Sequence, residues 1–142
     1  MLGTLPDRQF PSINVFTAAT ALTAAYVAGT IVNCDEANMV AIDVIYTKGD
    51  ETSIQIKVEG TNDTPPFSVN TNWYQQVTQS ASGGTVTITP GIYSMTAASA
   101  ATIQKFTLII NPVKGSGFRI SVQATAGTPT GTFSIQAFTG WV

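Results

Sequence analysis

Residues 39–59, with the sequence MVAIDVIYTKGDETSIQIKVE, decide the fold because apolar side chains occupy every second position in both halves of the stretch. These side chains are Val40, Ile42, Val44 and Tyr46 in the first half and Ile54, Ile56 and Val58 in the second. Successive side chains of a β-strand point to opposite faces, so each half predicts a strand with one buried face. A polar turn over residues 48–51, in which Gly49 can adopt a positive φ, joins the strands and predicts a β-hairpin.

The same alternation recurs along the rest of the chain. Further strands are predicted over residues 29–33, 73–79, 85–89, 92–95, 105–110 and 118–125 and from Phe133 onward. Residues 17–26 are rich in alanine and threonine and are compatible with either helix or strand. About eight short strands separated by turns predict an all-β fold, an antiparallel β-sandwich with a jelly-roll-like arrangement.

Charged residues are scarce in this sequence. Only 10% of the 142 residues are charged, whereas soluble domains carry roughly 25%. The formal net charge of −2 and the six dispersed basic residues provide no phosphate-binding stripe, so the composition argues against a nucleic-acid partner. No apolar stretch approaches the ~18 residues that a membrane span needs, and residues 1–16 lack a secretory signal pattern. We therefore expect a protein made in a cytoplasm, without a membrane partner.

The sequence contains no recognisable catalytic constellation. It has no histidine, which is the commonest general base and metal ligand, and none of the common nucleophile, phosphate-binding or zinc motifs. We therefore expect no enzymatic activity, no catalytic residues, no metal and no cofactor. The single cysteine, Cys34, is interpreted as a small buried apolar side chain, because a catalytic thiolate would need a basic partner.

The acidic residues are concentrated in the first part of the chain. Residues 1–63 hold eight acids and three bases, whereas residues 64–142 hold three bases and no acid. One hypothesis is that a negative patch of one copy meets a positive patch of a neighbouring copy.

Two pairs of adjacent acids are expected to lie solvated in turns. They are Asp35-Glu36 and Asp50-Glu51, and adjacent side chains of a strand point apart, so neither pair predicts a catalytic dyad. Oxygen ligands for calcium could converge from Asp50, Glu51 and Asp63, but no EF-hand spacing supports such a site.

Both ends of the chain carry large apolar side chains that a solvated tail would not normally keep exposed. We predict an extended N-terminal arm over residues 1–16, followed by a single domain over residues 17–142. The first sixteen residues either fold back as an edge strand of their own domain or pack on a neighbouring subunit. The candidate side chains for a subunit or capsid interface are Leu2, Leu5, Phe10, Phe16 and Trp141.

Aromatic residues offer one candidate ligand platform. Trp73 and Tyr74, together with Tyr26, Tyr46 and Tyr93, could stack on the apolar faces of a sugar. The alternative is that these rings fill the core, which is the usual place of aromatic side chains on alternating strands. The strand pattern favours the core.

Four short motifs give the chain its closest resemblance to a known family. They are YVAGTIV at residues 26–32, YTKGDETS at 46–53, IQIKVEGTND at 54–63 and NWYQ at 72–75. In these motifs, and in its low-charge, threonine-rich composition, the chain resembles small β-sandwich structural proteins of tailed bacteriophages that decorate or cement capsids. The resemblance implies a virion component made in the host cytoplasm, commonly homotrimeric, that binds the major capsid protein and stabilises the head. It implies no catalytic residues.

A second resemblance points to another function. The motif VEGTND at residues 58–63, followed by Trp73, is similar to a strand–turn–strand unit of galactose-binding-like jelly rolls. In this chain the turn glycine is missing and residues 64–71 intervene. The resemblance implies a carbohydrate-binding or receptor-binding module of a phage tail or fibre. Another tail or neck structural component is the third interpretation, since it would share the same architecture.

Overall fold

The structure is a computed structural model that describes residues 12–34, 37, 39–68, 70–75, 77–82, 85–90, 92–96, 100–110 and 115–140. Strands and their connections account for these residues, and none of them belongs to a helix. No apolar helix of membrane-spanning length is therefore found in the described part of the chain. The fold class is all-β, as the alternating sequence predicts.

The described residues form twelve strands. In chain order they are β1 Ser12–Ala21, β2 Val27–Ala28, β3 Val32–Asn33, β4 Met39–Thr47, β5 Ser53–Thr61, β6 Tyr74–Gln75, β7 Val77–Ser82, β8 Thr85–Pro90, β9 Ile92–Met95, β10 Ile103–Ile110, β11 Gly117–Thr125 and β12 Thr132–Gly140. Residues 17–26, for which the sequence was compatible with helix or strand, overlap the end of β1, and residues 17–21 are strand.

Two sheets build the sandwich. Sheet A has the strand order β1-β12-β4-β10, and sheet B has the order β2-β11-β5-β6, with β3 also paired to β11 and β9 also paired to β5. Strands β7 and β8 pair with each other in a separate hairpin. Every pairing in the described residues is antiparallel, which confirms the predicted antiparallel β-sandwich.

The core lies between the two sheets. The inward side chains of β4 and β12 meet those of β5 and β11, and Tyr46, Ile56, Ile120 and Ile135 are among the most deeply buried. Each such aliphatic side chain stabilises the fold by roughly 1.5–3 kcal/mol when it leaves water. Cys34 is buried in the same cluster, which agrees with its interpretation as a small apolar side chain.

The predicted hairpin of β4 with β5 is wrong. Strand β4 pairs with β10 and β12 in sheet A, whereas β5 pairs with β11, β6 and β9 in sheet B. The chain therefore crosses from one sheet to the other at residues 48–52. The apolar faces of the two strands consequently line the core from opposite sheets.

Gly49 in this crossing is required by close packing. Its φ is not positive, contrary to the predicted turn. A Cβ at this position would overlap the backbone nitrogen of Gly131 and the side chain of Thr130. The crossing at residues 48–52 thus lies directly against the β11–β12 connection, which makes the same passage between the sheets in the opposite direction.

The N-terminal part of the described chain is an edge strand. Residues 12–16 lie in β1, which pairs with β12 of the same domain, so the boundary predicted at residue 16 falls inside a strand. The pairing is irregular between Phe16 and Thr20, where Ala19 has a φ of 56°. Residues 1–11 lie outside the described part of the chain.

Candidate interaction surfaces

The outward surfaces of the two sheets are the candidate sites of interaction. We call the outward side chains of sheet A face A, and those of sheet B face B. Face A includes Asn14, Ala41, Asp43, Ile45, Ile103, Lys105, Thr107, Ile109, Ser134, Gln136 and Phe138. Face B comprises Gln55, Lys57, Glu59, Gln75, Ser94, Arg119 and Gln123, with Tyr26, Phe67 and Trp73 lying against them.

A buried carboxylate with two cationic partners lies at the centre of face B. The antiparallel register places Arg119 of β11 directly opposite Glu59 of β5. The Nε and Nη2 atoms of Arg119 donate to the same carboxylate oxygen of Glu59 at 2.9 and 2.7 Å. The ammonium of Lys57 lies 3.5 Å from the other oxygen. Because Glu59 is buried, these partners offset the cost of removing its charge from water.

Aromatic rings flank this ion cluster on both sides. The guanidinium of Arg119 lies 4.7 Å from the ring centroid of Trp73, and the ammonium of Lys57 lies 4.9 Å from that of Tyr26. Both distances fit cation–π contacts. Phe67 continues the row, with its ring centroid 5.8 Å from that of Trp73. The loop that carries Phe67 and Trp73 therefore folds over one end of face B.

Phe67 is seated over a glycine. A Cβ at Gly117 would overlap the Phe67 ring, so this position has to be free of a side chain for the loop to reach the sheet. Neither residue was singled out from the sequence, because the signal is a contact between two distant segments.

Side-chain amides continue the network along face B. The Nε2 atom of Gln123 donates to Oε1 of Gln55 at 2.8 Å, and the hydroxyl of Tyr26 donates to the same oxygen at 3.4 Å. The Nε2 atom of Gln55 in turn donates to the hydroxyl of Ser94 at 3.3 Å. Among the described buried side-chain atoms, Nε2 of Gln75 is left without a partner. Most polar groups of face B are therefore satisfied by one another.

The structure separates the two residues of the predicted ligand platform. Trp73 is half-buried beside Arg119 on face B. Tyr74 is 67% exposed and pairs with Gly60, whereas the residue that pairs with Glu59 is Gln75. The nearest aromatic partners of the ion cluster are instead Trp73 and Tyr26.

The expectation that these aromatic rings fill the core holds for one of the five. Tyr46 is fully buried, whereas Tyr26 and Trp73 are half-buried and Tyr74 and Tyr93 are exposed. Of these residues, only Tyr46 lies within a long strand that is covered on its inner face by the opposite sheet. The other four lie on short strands or in the connections beside them.

Face A has a short polar row across all four of its strands. The registers align Asn14, Gln136, Asp43 and Thr107 side by side. Nε2 of Gln136 donates to Oδ1 of Asn14 at 3.1 Å, and the hydroxyl of Thr107 donates to Oδ1 of Asp43 at 2.5 Å. A shallow cleft of about 630 Å³ runs beside this row.

Exposed isoleucines surround the polar row of face A. Ile45 is 43% exposed, Ile103 is 61% exposed and Ile109 is 65% exposed. Single exposed apolar residues are common on protein surfaces. Ile45 and Ile103 are diagonal neighbours on one side of the polar row, and Ile109 lies on the other side in a row with Ala41 and Phe138. Apolar side chains thus flank the polar row on both sides, and exposed apolar surfaces are typical of interaction sites. Lys105 is the cation that lies between the two isoleucines of β10.

The residues predicted at the N-terminal interface fall into two groups. Phe16 is buried in its own domain, where its ring packs edge-on against Phe133 with the centroids 4.8 Å apart. Leu2, Leu5, Phe10 and Trp141 lie outside the described residues, so their role in an interface stays a prediction.

A second buried carboxylate ties the two sheet crossings together. Glu51 has 0% exposure, so the expectation that it is solvated in a turn is wrong. Its oxygens accept hydrogen bonds from the hydroxyl of Tyr46 at 2.7 Å and from the backbone N–H groups of Gly49 at 2.7 Å, Thr130 at 3.1 Å and Gly131 at 2.9 Å. We call this group the Glu51 clasp. It connects the β4–β5 crossing with the β11–β12 crossing.

The hydrogen bonds of the Glu51 clasp outweigh the effect of burial. Burial by itself would raise the pKa of Glu51, but the donors from Gly49, Tyr46 and Gly131 lower that pKa to about 2. Burial and the bond to the Glu51 carboxylate raise the pKa of Tyr46 well above its usual value. Both groups are held in one protonation state at neutral pH, which suits a structural role.

The acids considered for calcium binding are used separately. Asp50 accepts a hydrogen bond from the hydroxyl of Thr130, and Asp63 accepts one from the backbone of Asn72, whereas Glu51 faces inward. Within the described residues, no three Asp, Glu, Cys or His side chains converge on one point. Asp35 and Glu36 lie outside the described residues.

Comparisons with known proteins match neither a model of a protein family nor any similar curated protein.

Proposed function

We propose that this protein is a non-enzymatic structural protein of a virion, a capsid decoration or cement subunit that binds the major capsid protein. The single observation that carries the proposal is the presence of three exposed isoleucines on face A of a low-charge β-sandwich. A face of this kind is suited to being covered by a protein surface. The motif resemblance to phage decoration proteins supports the same assignment.

The physical basis of attachment would be modest contacts repeated many times. Covering one exposed isoleucine contributes at most about 1.5–3 kcal/mol, which is too little for stable binding by itself. A subunit built from more than one copy of the chain engages several equivalent sites on a regular shell, and linkage of these contacts raises the occupancy strongly. The partners of this function are other copies of the chain and the major capsid protein.

The test is binding to shells assembled from the major capsid protein alone. The intact protein should sediment with the shells, and Ile45→Lys should reduce the bound fraction because it places a charge in the covered surface. Val27→Lys is the matched control, since Val27 is 44% exposed but lies in sheet B. Equal binding by both variants, or no binding by the intact protein, would contradict the proposal.

The contribution of the N-terminal segment to shell binding is tested by deleting residues 1–11 and not the whole predicted arm of residues 1–16. Removal of residues 1–11 leaves β1 and Phe16 in place, whereas removal of residues 1–16 would also remove core packing. Loss of shell binding in the shorter deletion, with an unchanged thermal unfolding transition, would support an arm that contacts a neighbouring subunit.

The second candidate function is a carbohydrate-binding or receptor-binding module. It is favoured by the row of Trp73, Arg119, Lys57 and Tyr26 on face B, since sugars stack on aromatic rings and bond to charged side chains. A glycan array should then give a signal that Trp73→Ala removes and Ile45→Lys leaves intact. An array without signal for the intact protein would count against this function.

A further inference from the structure

The edge strand β10 lacks the usual features that prevent strands from pairing between molecules. It is eight residues long and pairs with β4 on one side, at the end of the described sheet A. Edge strands are commonly protected by proline, by several charges or by short length. Strand β10 contains no proline and a single charge, Lys105, and it exposes Ile103 and Ile109.

The hydrogen-bond pattern identifies the backbone groups that face away from β4. The N–H of Lys48 donates to the carbonyl of Thr102, next to the pair of Thr47 with Ile103. In an antiparallel ladder, hydrogen-bonded and non-hydrogen-bonded pairs alternate. Gln104, Phe106 and Leu108 therefore direct their backbone groups toward β4. The backbone groups of the outward residues, Ile103, Lys105, Thr107 and Ile109, point to the open edge.

We propose that β10 pairs antiparallel with β10 of a second copy, about a two-fold axis that passes beside Phe106. This register places Ile103 of each copy opposite Ile109 of the other. The backbone N–H and C=O groups at the open edge of one strand then bond to those of the other strand. This fits the antiparallel ladder, in which hydrogen-bonded and non-hydrogen-bonded pairs alternate. Sheet A of the two copies would form one continuous sheet across an isologous interface.

Other two-fold registers fit less well. An axis beside Lys105 places the ammonium groups of two copies directly opposite each other, which is destabilising. An axis beside Thr107 places Ile109 opposite Lys105 and leaves Ile103 beyond the end of the paired strand. With the axis beside Phe106, the two most exposed isoleucines of the described chain cover each other.

Charge complementarity favours the same register. It places Lys105 of one copy opposite Thr107 of the other, and the hydroxyl of Thr107 is already bonded to Asp43 on the adjacent strand. The long side chain of Lys105 can extend toward that carboxylate along the shared row, which spans two strand spacings of about 4.8 Å each. The two-fold symmetry creates this contact twice in each dimer.

The inner side of β10 supports the pairing as well. Phe106 and Leu108 are half-buried and border a cleft of about 310 Å³ with Tyr93 and Met95 at the open side of the sandwich. In the paired dimer the Phe106 rings of the two copies meet at the axis and cover this opening. The pairing therefore buries apolar surface on both faces of the strand.

The first experiment measures the mass of the full-length protein by sedimentation equilibrium across a concentration series. We expect a reversible dimer of twice the 14.9 kDa chain mass. Lys105→Asp should raise the dissociation constant about tenfold over the two symmetric contacts, because a carboxylate replaces the ammonium that reaches toward Asp43 of the second copy, and Asp43→Lys should do the same by presenting a second cation to Lys105. The double variant Lys105→Asp/Asp43→Lys should recover the dimer. A monomer, a trimer, or no recovery in the double variant would overturn the proposal.

A cysteine experiment tests the register itself. Phe106→Cys places two thiols in a non-hydrogen-bonded pair with Cα atoms about 4.5 Å apart, within the range of about 4.4–6.8 Å for a disulfide. Leu108→Cys is the control, because the two Leu108 positions would lie about 14 Å apart and each would face Gln104 of the other copy. We expect a crosslinked dimer from Phe106→Cys, none from Leu108→Cys, and a heterodimer when Leu108→Cys is mixed with Gln104→Cys. Equal crosslinking of the two single variants would overturn the register.

This proposal is independent of the capsid assignment. Shell binding by a monomeric protein would overturn the pairing and leave the proposed function standing. A dimer that has the expected crosslinks but does not bind shells would support the pairing and overturn the proposed function. Circular dichroism of each variant establishes that its sandwich is folded before the masses are compared.

Discussion

Face A and face B belong to the same sandwich, yet their polar groups are arranged in opposite ways. On face B, Glu59 is surrounded by Arg119 and Lys57, and each cation also lies over an aromatic ring. On face A the polar groups form one row, and the isoleucines beside it remain exposed to solvent. The polar groups of face B are thus largely satisfied within the protomer, whereas large apolar side chains of face A stay exposed.

The physical reason for the difference lies in the loops. The connection that carries Phe67 and Trp73 folds over face B and removes water from its ions, which strengthens their attraction. In the described part of the chain, no corresponding loop covers face A, and its edge strand β10 ends the sheet. Substitutions should therefore affect stability on face B and association on face A.

The largest effect on stability is expected beneath both faces, at the Glu51 clasp. Glu51→Gln replaces one carboxylate oxygen by an amide nitrogen, which donates and cannot accept. Two of the four donors then lose their acceptor, and each unsatisfied buried donor costs about 1–3 kcal/mol. We expect a loss of about 4 kcal/mol in the free energy of unfolding, measured by urea denaturation. The exposed neighbour provides the control, since Asp50→Asn should cost less than about 1 kcal/mol. Equal losses would contradict the clasp.

The pH dependence of stability should come mainly from the same carboxylate. The pKa of Glu51 is about 2 in the folded protein, against an ordinary value of 4.5, so the folded state binds its proton less readily than the unfolded chain. The stabilising contribution is therefore complete above pH 4.5 and is lost as the pH falls toward about 2, by roughly 3 kcal/mol. Urea midpoints measured across this range should fall in the natural protein and change much less in Glu51→Gln. A similar slope in both would show that other groups dominate.

Face B and face A are compared directly by removing one cation from each. Arg119→Ala leaves Glu59 buried with Lys57 as its remaining partner and removes the contact with Trp73, so we expect a loss of about 2–3 kcal/mol. Lys105→Ala removes an exposed side chain of face A and should change the stability of the protomer by less than about 0.5 kcal/mol. Both are measured by urea denaturation at a concentration where the protein is monomeric. Similar losses in the two variants would remove the distinction between the faces.

The smallest effect on stability is expected from the exposed isoleucines. Ile103→Thr keeps the β-branched shape that strands favour and should shift the free energy of unfolding by less than about 0.5 kcal/mol. The same substitution should weaken self-association measurably, because the apolar contact opposite Ile109 is lost. Calorimetric dilution and thermal unfolding of the same sample separate the two effects. A large fall in the unfolding temperature would mean that Ile103 supports the protomer itself.

Much of the strand pattern could be predicted from the sequence. The predicted limits of β4 and β9 agree with the structure, and the apolar alternation of β5, β10 and β11 identifies their inward faces. The candidate surfaces were less predictable. Trp73 was recognised as a possible binding residue, but its contacts with Arg119, and through Arg119 with Glu59, depend on segments that are distant in the chain.

The sequence by itself determined that this protein is all-β and which side of β4, β5, β10, β11 and β12 is buried, because a period of two fixes the direction of successive side chains. Only the tertiary structure decided which strands are neighbours, since alternation describes one strand and contains no information about its partner. The β4–β5 connection shows this most clearly. Its residues suggested a solvated hairpin turn, but the sandwich uses them to cross between sheets and buries Glu51, because four donors from four different residues meet there.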